Sequence, residues 1–163
     1  MLLAREILGR LDEPRFAGRR VERLAVDWAA AAKRRLRGDT DAGTDIALDL
    51  PHGSYLADGA VLHDDGLRVV AVARSAEPAL VVRFDPSLPA AALAGQAARL
   101  GHAFGNQHVP LDVEDGAIRV PITTSEQLAR DTVTALGLDG ATVTVEQVAL
   151  GAHAPFATGH RHP

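Results

Sequence analysis

The 163-residue chain has the composition of a globular protein, with 47% hydrophobic residues, 23% charged residues and a formal net charge of −4. It contains no cysteine, which excludes a disulfide framework and a thiolate metal site. No apolar run approaches the roughly 18 residues that a membrane-spanning helix requires, and the N-terminus lacks the apolar core of a signal peptide. We therefore expect a cytoplasmic protein with an aliphatic core.

Positive charge is concentrated at the start of the chain. Residues 1–38 hold ten Lys and Arg against five Asp and Glu, whereas residues 39–163 hold seven against sixteen. The densest basic stretch is Lys33–Arg37. A nucleic-acid interface is one interpretation, but no aromatic residues are interleaved for base stacking, and a solvated strand face or turn is the simpler one.

The first half of the chain has the pattern of β structure. Val21–Trp28 and Asp45–Leu50 alternate apolar and polar residues, as half-buried strands do. Turns rich in Gly and Asp separate these segments from Tyr55–Leu62 and from the apolar strand Leu67–Ala73. The spacing predicts a small β-rich N-terminal domain over residues 1–76.

The pattern changes near residue 77. The predicted elements are a strand at Ala79–Phe84, a helix at Ala90–Phe104, a hairpin over residues 110–122, a helix at Leu128–Leu138 with Thr124 or Ser125 as N-cap, and a strand at Ala141–Leu150. This βαββαβ order is the split arrangement called ferredoxin-like. The predicted fold class is therefore α+β, with a ferredoxin-like domain over residues 77–150 and a flexible His-containing tail over residues 151–163.

The segment Leu100–Pro110 contains the first candidate metal ligand. Gly105 and Asn106 both tolerate the left-handed conformation that ends many helices, and Pro110 prevents helical continuation. We therefore expect His108 at a fixed point between a helix and a strand. An isolated histidine at such a point can also simply interact with the last carbonyl groups and the helix dipole.

The tail supplies further candidate ligands. His160 and His162 form an HxH pair, and His153 is a weaker candidate in the same segment. Imidazole is a common ligand of zinc, copper and nickel, so His108 together with tail histidines would make a nitrogen-rich site. The tail histidines offer no packing benefit, which favours metal binding over a structural role.

The remaining histidines carry weaker signals. His102 lies six positions before His108, so the two do not form an i, i+4 chelating pair on a helix. His52 and His63 lie in turn-like segments, where solvation is the simpler interpretation. The sequence has no nucleotide-binding, zinc-protease or nucleophile-elbow motif, and its carboxylates are spread through turns.

Four features of the chain match one family pattern. They are Leu100–Pro110, which is similar to an LGN-x-H-x-P segment; Lys33–Arg37 with Thr40–Gly43; Leu56–Leu62, which is similar to L-x-DGD-x-L; and the His-bearing tail. On these features the chain resembles the urease accessory protein E family of nickel metallochaperones. It departs from the pattern at Gln107, where many members have Arg, at Ala60, which replaces the second Asp of DGD, and in its short tail.

The resemblance implies a nickel-binding homodimer that is not an enzyme. A β-sheet domain that engages protein partners would precede a ferredoxin-like domain for metal binding and dimerisation. His108 of both chains would hold one Ni²⁺ at the dimer interface, with His160 and His162 as added ligands. The implied partners are the GTPase urease accessory protein G and the apo-urease complex. Zn²⁺ or Cu²⁺ would also bind in vitro, copper at least as tightly as nickel.

Three other classes of function fit the sequence less well. An acylphosphatase needs a phosphate-cradling loop, but Asp85–Pro89 at the corresponding place is acidic and has no glycine. An RNA-binding module would present aromatic residues on its central strands, and Ala117–Ile122 has none. The most serious alternative is a protein-interaction module whose histidines are incidental.

Overall fold

The computed structural model of the chain describes residues 1–114, 116–122 and 125–151. Its contacts divide these residues into two compact units. The first consists of Met1–Ser75 together with Gly151, and the second of Ala76–Leu150. Within the described residues, no helix is long and apolar enough to cross a membrane.

The first unit contains two β-sheets. In chain order its elements are β1 (Leu2–Ala4), β2 (Gly9–Arg10), a 3₁₀ turn (Pro14–Phe16), β3 (Arg20–Val26), α1 (Trp28–Ala31), β4 (Arg35–Asp39), β5 (Asp45–Asp49), β6 (Ala60–Asp64) and β7 (Arg68–Arg74). The sheets have the strand orders β1-β5-β4 and β2-β6-β7-β3. Two pairs are parallel: β1 with β5, and β3 with β7.

The core of the first unit is aliphatic, as the composition predicts. Inward positions of β3 alternate with exposed ones, and Leu24 and Val26 are buried. They join a cluster that includes Ile46 and Leu48 of β5 and Val70 and Val72 of β7.

The predicted strand Val21–Trp28 ends earlier than its pattern suggested. The Asp27 side chain accepts a hydrogen bond from the backbone N–H of Ala30 at 2.7 Å, so Asp27 caps a single helical turn, α1, that begins at Trp28. The N-cap therefore decides between strand and helix at a point where the apolar pattern alone fits both.

The second unit has the predicted order of elements. They are β8 (Glu77–Phe84), α2 (Ala90–Asn106), β9 (Asp112–Glu114), β10 (Ala117–Pro121), α3 (Glu126–Ala135) and β11 (Ala141–Val148). The strands form one sheet in the order β11-β8-β10-β9, and every neighbouring pair is antiparallel. The hairpin between β9 and β10 pairs Glu114 with Ala117.

The core of the second unit joins both helices to one side of the sheet. The buried cluster contains Leu80 and Val82 of β8, Ile118 and Val120 of β10, Leu100 and Phe104 of α2, and Val133 of α3. Leu128 of α3 is apolar but 56% exposed. It lies in the first turn of α3, whereas Val133 is 4% exposed and carries the apolar contact with the core.

Candidate metal centre

His108 lies just beyond the C-terminus of helix α2. Gln107 is the C-cap of the helix, with φ −88°. His108 follows with φ 55°, and no other non-glycine residue in the described part of the chain has a positive φ. The residue is exposed. The structure therefore places the predicted ligand at a helix end, in a backbone conformation that L-residues rarely adopt.

Two backbone hydrogen bonds close the helix around His108. The N–H of His108 donates to the carbonyl oxygen of Gly105 at 3.0 Å, and the N–H of Val109 donates to that of Phe104 at 3.0 Å. Together they form a Schellman motif, whose left-handed residue is usually glycine. Phe104 is 2% exposed and Val109 packs against the same core cluster, so the apolar contact that accompanies this motif is present.

The left-handed residue is not the one that the sequence favoured. Gly105 and Asn106 remain inside α2, and His108 takes the left-handed conformation instead. If Asn106 were the left-handed residue, the motif would bring polar Gln107 against exposed His102. Closure two residues further lets apolar Val109 return to buried Phe104. Burial therefore outweighs the intrinsic preference of Asn and Gly.

The conformation of His108 has a free-energy cost. A non-glycine residue in the left-handed region costs roughly 1–2 kcal/mol, which glycine would avoid. Because His108 is exposed, burial of its ring does not explain why the position is not glycine. Local backbone strain of this kind is often kept where a side chain has a functional task.

The exposed face of α2 carries small residues on both sides of the exposed His102. Ala91, Ala94, Gly95, Ala98 and Gly105 are all exposed. A Cβ atom added at Gly95 or at Gly105 would meet no atom within 4 Å. A second polypeptide could therefore approach the helix backbone closely at these two glycines, on either side of the His102 side chain.

The neighbouring histidine of α2 has a local partner. The Nε2 atom of His102 lies 3.0 Å from the side-chain nitrogen of Asn106, one helical turn later. When this nitrogen accepts the amide hydrogen of Asn106, its lone pair is used. The contact favours the interpretation of His102 as a solvated helix residue rather than as a ligand.

Within the described residues, no group of three or more His, Asp and Glu side chains is placed to hold a metal ion. His108 therefore belongs to no such group among the described residues. His153, His160 and His162 lie outside the described residues, so their proposed part in the site remains a prediction.

The carboxylates near His63 have structural tasks. The Nε2 atom of His63 is 3.9 Å from Asp65. Hydrogen bonds from the backbone N–H groups of Arg68 and Leu67 hold the pKa of Asp65 down to about 2. Asp64 accepts from the Arg19 guanidinium at 3.1 Å. These carboxylates organise the turn, and in the described part of the chain His63 belongs to no group of three or more such side chains that could hold a metal ion.

A buried carboxylate in the first unit was missed by sequence reasoning. Glu22 is 1% exposed. It accepts hydrogen bonds from Thr44 at 2.6 Å, from Thr40 at 3.1 Å and from Arg68 at 3.0 Å. The Thr44 hydroxyl is the largest cause that lowers the pKa of Glu22 to about 2, against the raising effect of burial. The sequence did contain one indication: Glu22 lies two residues before Leu24, so both side chains point to the inward face of β3.

The basic stretch Lys33–Arg37 fits the simpler interpretation, a solvated strand face. Arg35 and Arg37 lie on β4, and each pairs at 2.9 Å with an aspartate of the neighbouring strand, Asp49 and Asp45 respectively. These pairs lower the pKa of both aspartates. Part of the positive charge of the stretch is thus neutralised within its own sheet.

Comparison with known proteins gives the family context. Residues 4–74 match the model of the UreE urease accessory protein N-terminal domain. Proteins named urease accessory protein UreE from Burkholderia pseudomallei and Burkholderia mallei are 33% identical to the chain over 150 residues, and one from Burkholderia thailandensis is 32% identical. These alignments cover 88% of the chain. The chain spans 64% of the first of these relatives, less than two thirds of its length.

The matches agree with the resemblance carried by Leu100–Pro110 and Leu56–Leu62. The chain is thus similar to the UreE urease accessory proteins over most of its length, and its residues 4–74 match their N-terminal domain.

Proposed function

We propose that the chain takes part in urease maturation as a nickel metallochaperone, a protein that binds Ni²⁺ and passes it to apo-urease. The name of its relatives describes an accessory protein of urease rather than a catalyst. We accordingly assign no enzymatic activity to the chain and place its action in the cytoplasm.

The observation that carries this proposal is the position of His108. Its imidazole is exposed at a helix end, on a backbone conformation that glycine would adopt more easily. Neutral imidazole is a suitable ligand for nickel, a borderline divalent metal. A metal ligand would explain why the position carries histidine in spite of the strain.

One imidazole is too few for a useful site, so we propose that two chains share the metal. A two-fold axis doubles every ligand at the interface. Ala98 and Gly105 lie on the exposed face of α2 on either side of His102, and their small size would allow a close approach there. The tail histidines His153, His160 and His162 would complete the coordination and release the metal on transfer.

The two units would divide the work. We propose that the second, with its split β-α-β order, is the ferredoxin-like domain for metal binding and dimerisation. The first would engage the protein partners, a GTPase of the urease accessory protein G type and the apo-urease complex. Nickel would then be the cargo of the protein rather than a resident cofactor.

A mass measurement tests the shared site. Native mass spectrometry of the full chain with Ni²⁺ should find one or two ions per dimer, and His108→Ala should lose the interface ion while keeping its fold by circular dichroism. The competing interpretation is a protein-interaction module with incidental histidines. It predicts that nickel changes neither the mass nor the oligomeric state, and this result would overturn the shared-site proposal.

A further inference from the structure

The first unit holds Gly151, the last residue that the structure describes. The carbonyl oxygen of Gly151 accepts a hydrogen bond from the Tyr55 hydroxyl at 2.7 Å and another from Nη1 of Arg74 at 3.0 Å. The same arginine nitrogen donates to the Tyr55 oxygen at 2.9 Å, and its guanidinium lies 5.7 Å from the centre of the tyrosine ring. Two side chains that also bind each other therefore hold a single backbone carbonyl group.

The surroundings of Gly151 leave no room for a side chain. Gly151 has φ +57°, and a Cβ atom added there would lie 2.4 Å from the Trp28 ring and 2.6 Å from the Tyr55 oxygen. Gly151 itself is buried. Two independent reasons therefore require glycine at position 151: its positive φ and the lack of space for a Cβ atom.

The surrounding residues are held firmly by the first unit. Arg74 is 7% exposed, its Nε donates to the carbonyl oxygen of Val26 at 3.2 Å, and its backbone N–H donates to Asp58 at 2.8 Å. Leu56, next to Tyr55, is fully buried and donates its backbone N–H to Ala31 at 2.8 Å. Trp28, Tyr55 and Arg74 therefore form a preorganised socket.

We infer that this socket anchors the C-terminal tail at Gly151 and thereby limits where its histidines can reach. His153 lies two residues beyond Gly151, so its Cα can be at most about 7 Å away, whereas the Cα of His160 can be about 30 Å away. His153 therefore stays beside the socket, and the HxH pair supplies the long reach. This inference rests on the proposed function only where it treats tail histidines as ligands; Tyr55 and Arg74 act as positioning residues.

Electron paramagnetic resonance without metal tests the anchor itself. Because the chain has no cysteine, Ala152→Cys gives a single attachment point for a nitroxide label. We expect a restricted label in the otherwise unchanged chain and at least about twofold faster label motion after Gly151→Ala. Tyr55→Phe keeps the ring and removes the hydroxyl, so it should loosen the label even if Gly151→Ala disturbs folding.

Gly137→Ala is the matched control. Gly137 has φ +55°, almost the value of Gly151, but nothing lies within 4 Å of an added Cβ atom. The control therefore carries the same backbone strain without the clash, and it should leave the label restricted. Equal label motion in all variants would overturn the anchor, as would equal loosening by Gly137→Ala.

A nickel titration separates this inference from the proposed function. A chain that ends at Gly151 keeps the anchored residue and lacks His153, His160 and His162. The Ni²⁺ affinity that this shortened chain loses is therefore the share that the tail histidines supply. If that shortened chain binds Ni²⁺ as the full chain does while the label result holds, the anchor stands and the ligand role of the tail fails.

Discussion

The backbone N–H of Val109 donates to the carbonyl oxygen of Phe104 at 3.0 Å, and this bond closes helix α2 around His108. Because Val109 packs back onto the core, the residue before it, His108, takes the left-handed conformation. The exposed imidazole thus projects from a rigid helix end rather than from a loose loop. A ligand held in this way loses less conformational freedom when a metal binds.

Replacement of His108 by glycine should stabilise the protein. His108→Gly relieves a strain of roughly 1–2 kcal/mol and adds about 0.5–1 kcal/mol of chain entropy to the unfolded state, so we expect a net gain of about 0.5–1 kcal/mol in the free energy of unfolding. Urea denaturation measures this gain. Gln107→Gly is the control: φ is −88° there, so the entropy cost alone should destabilise the protein. Lower stability of His108→Gly would contradict the strain argument.

The buried Glu22 should make stability depend on acid pH. Its pKa is lowered from 4.5 to about 2, so the stability that its charge contributes is present above pH 4.5 and is lost as pH falls toward 2. Glu22→Gln should lower the urea midpoint at neutral pH. The difference in urea midpoint between this variant and the unchanged protein should shrink as pH falls from 4.5 toward 2. Glu126→Gln, at a solvent-exposed pair with Arg130, should show a much smaller effect. A gap that is constant down to pH 2 would contradict the assigned role of Glu22.

The N-cap of helix α3 should contribute measurably to stability. The Ser125 hydroxyl oxygen accepts from the backbone N–H of Leu128 at 3.0 Å, so Ser125→Ala should cost about 1 kcal/mol in the free energy of unfolding. Thr132 in the same helix instead donates to the carbonyl of Leu128. Thr132→Ala should be neutral or slightly stabilising, because alanine has the higher helix propensity. Equal losses from both substitutions in a thermal melt would argue against the cap.

Nickel binding should weaken in mild acid. Only neutral imidazole coordinates a metal, so affinity for Ni²⁺ should fall as pH decreases through about 7 to 6. Isothermal titrations at several pH values measure this, with circular dichroism at each pH as the control for folding. Unchanged affinity at pH 5 would count against histidine as the ligand.

The second unit was predicted well because its signals are local. The Ala-rich run, the hairpin and the Ser125 cap each lie within a few residues, and helices and strands follow from such patterns. The left-handed conformation of His108 was not predictable in the same way. It depends on where Val109 meets Phe104, which is a tertiary contact that overrides the preference of Asn106.

The first unit shows the opposite limit. The strands β3, β5, β6 and β7 were placed approximately, whereas β1 and β2 were not predicted. The parallel pairing of β3 with β7 and of β1 with β5 depends on contacts far apart in the chain. Burial of Glu22 likewise depends on Thr44 and Arg68, which lie 22 and 46 residues away. The role of Gly151 was missed for the same reason, since Tyr55 lies 96 residues before it.

Nickel calorimetry tests the central claim most directly. The proteins to compare are the unchanged chain, His108→Ala, His102→Ala as a matched exposed histidine on α2, and a chain that ends at Phe156. We predict that His108→Ala abolishes the tightest site, that His102→Ala leaves it intact, and that loss of His160 and His162 weakens it or changes its stoichiometry. If His108→Ala binds Ni²⁺ like the unchanged chain, His108 is a structural helix-end residue and the metallochaperone proposal is wrong about its site.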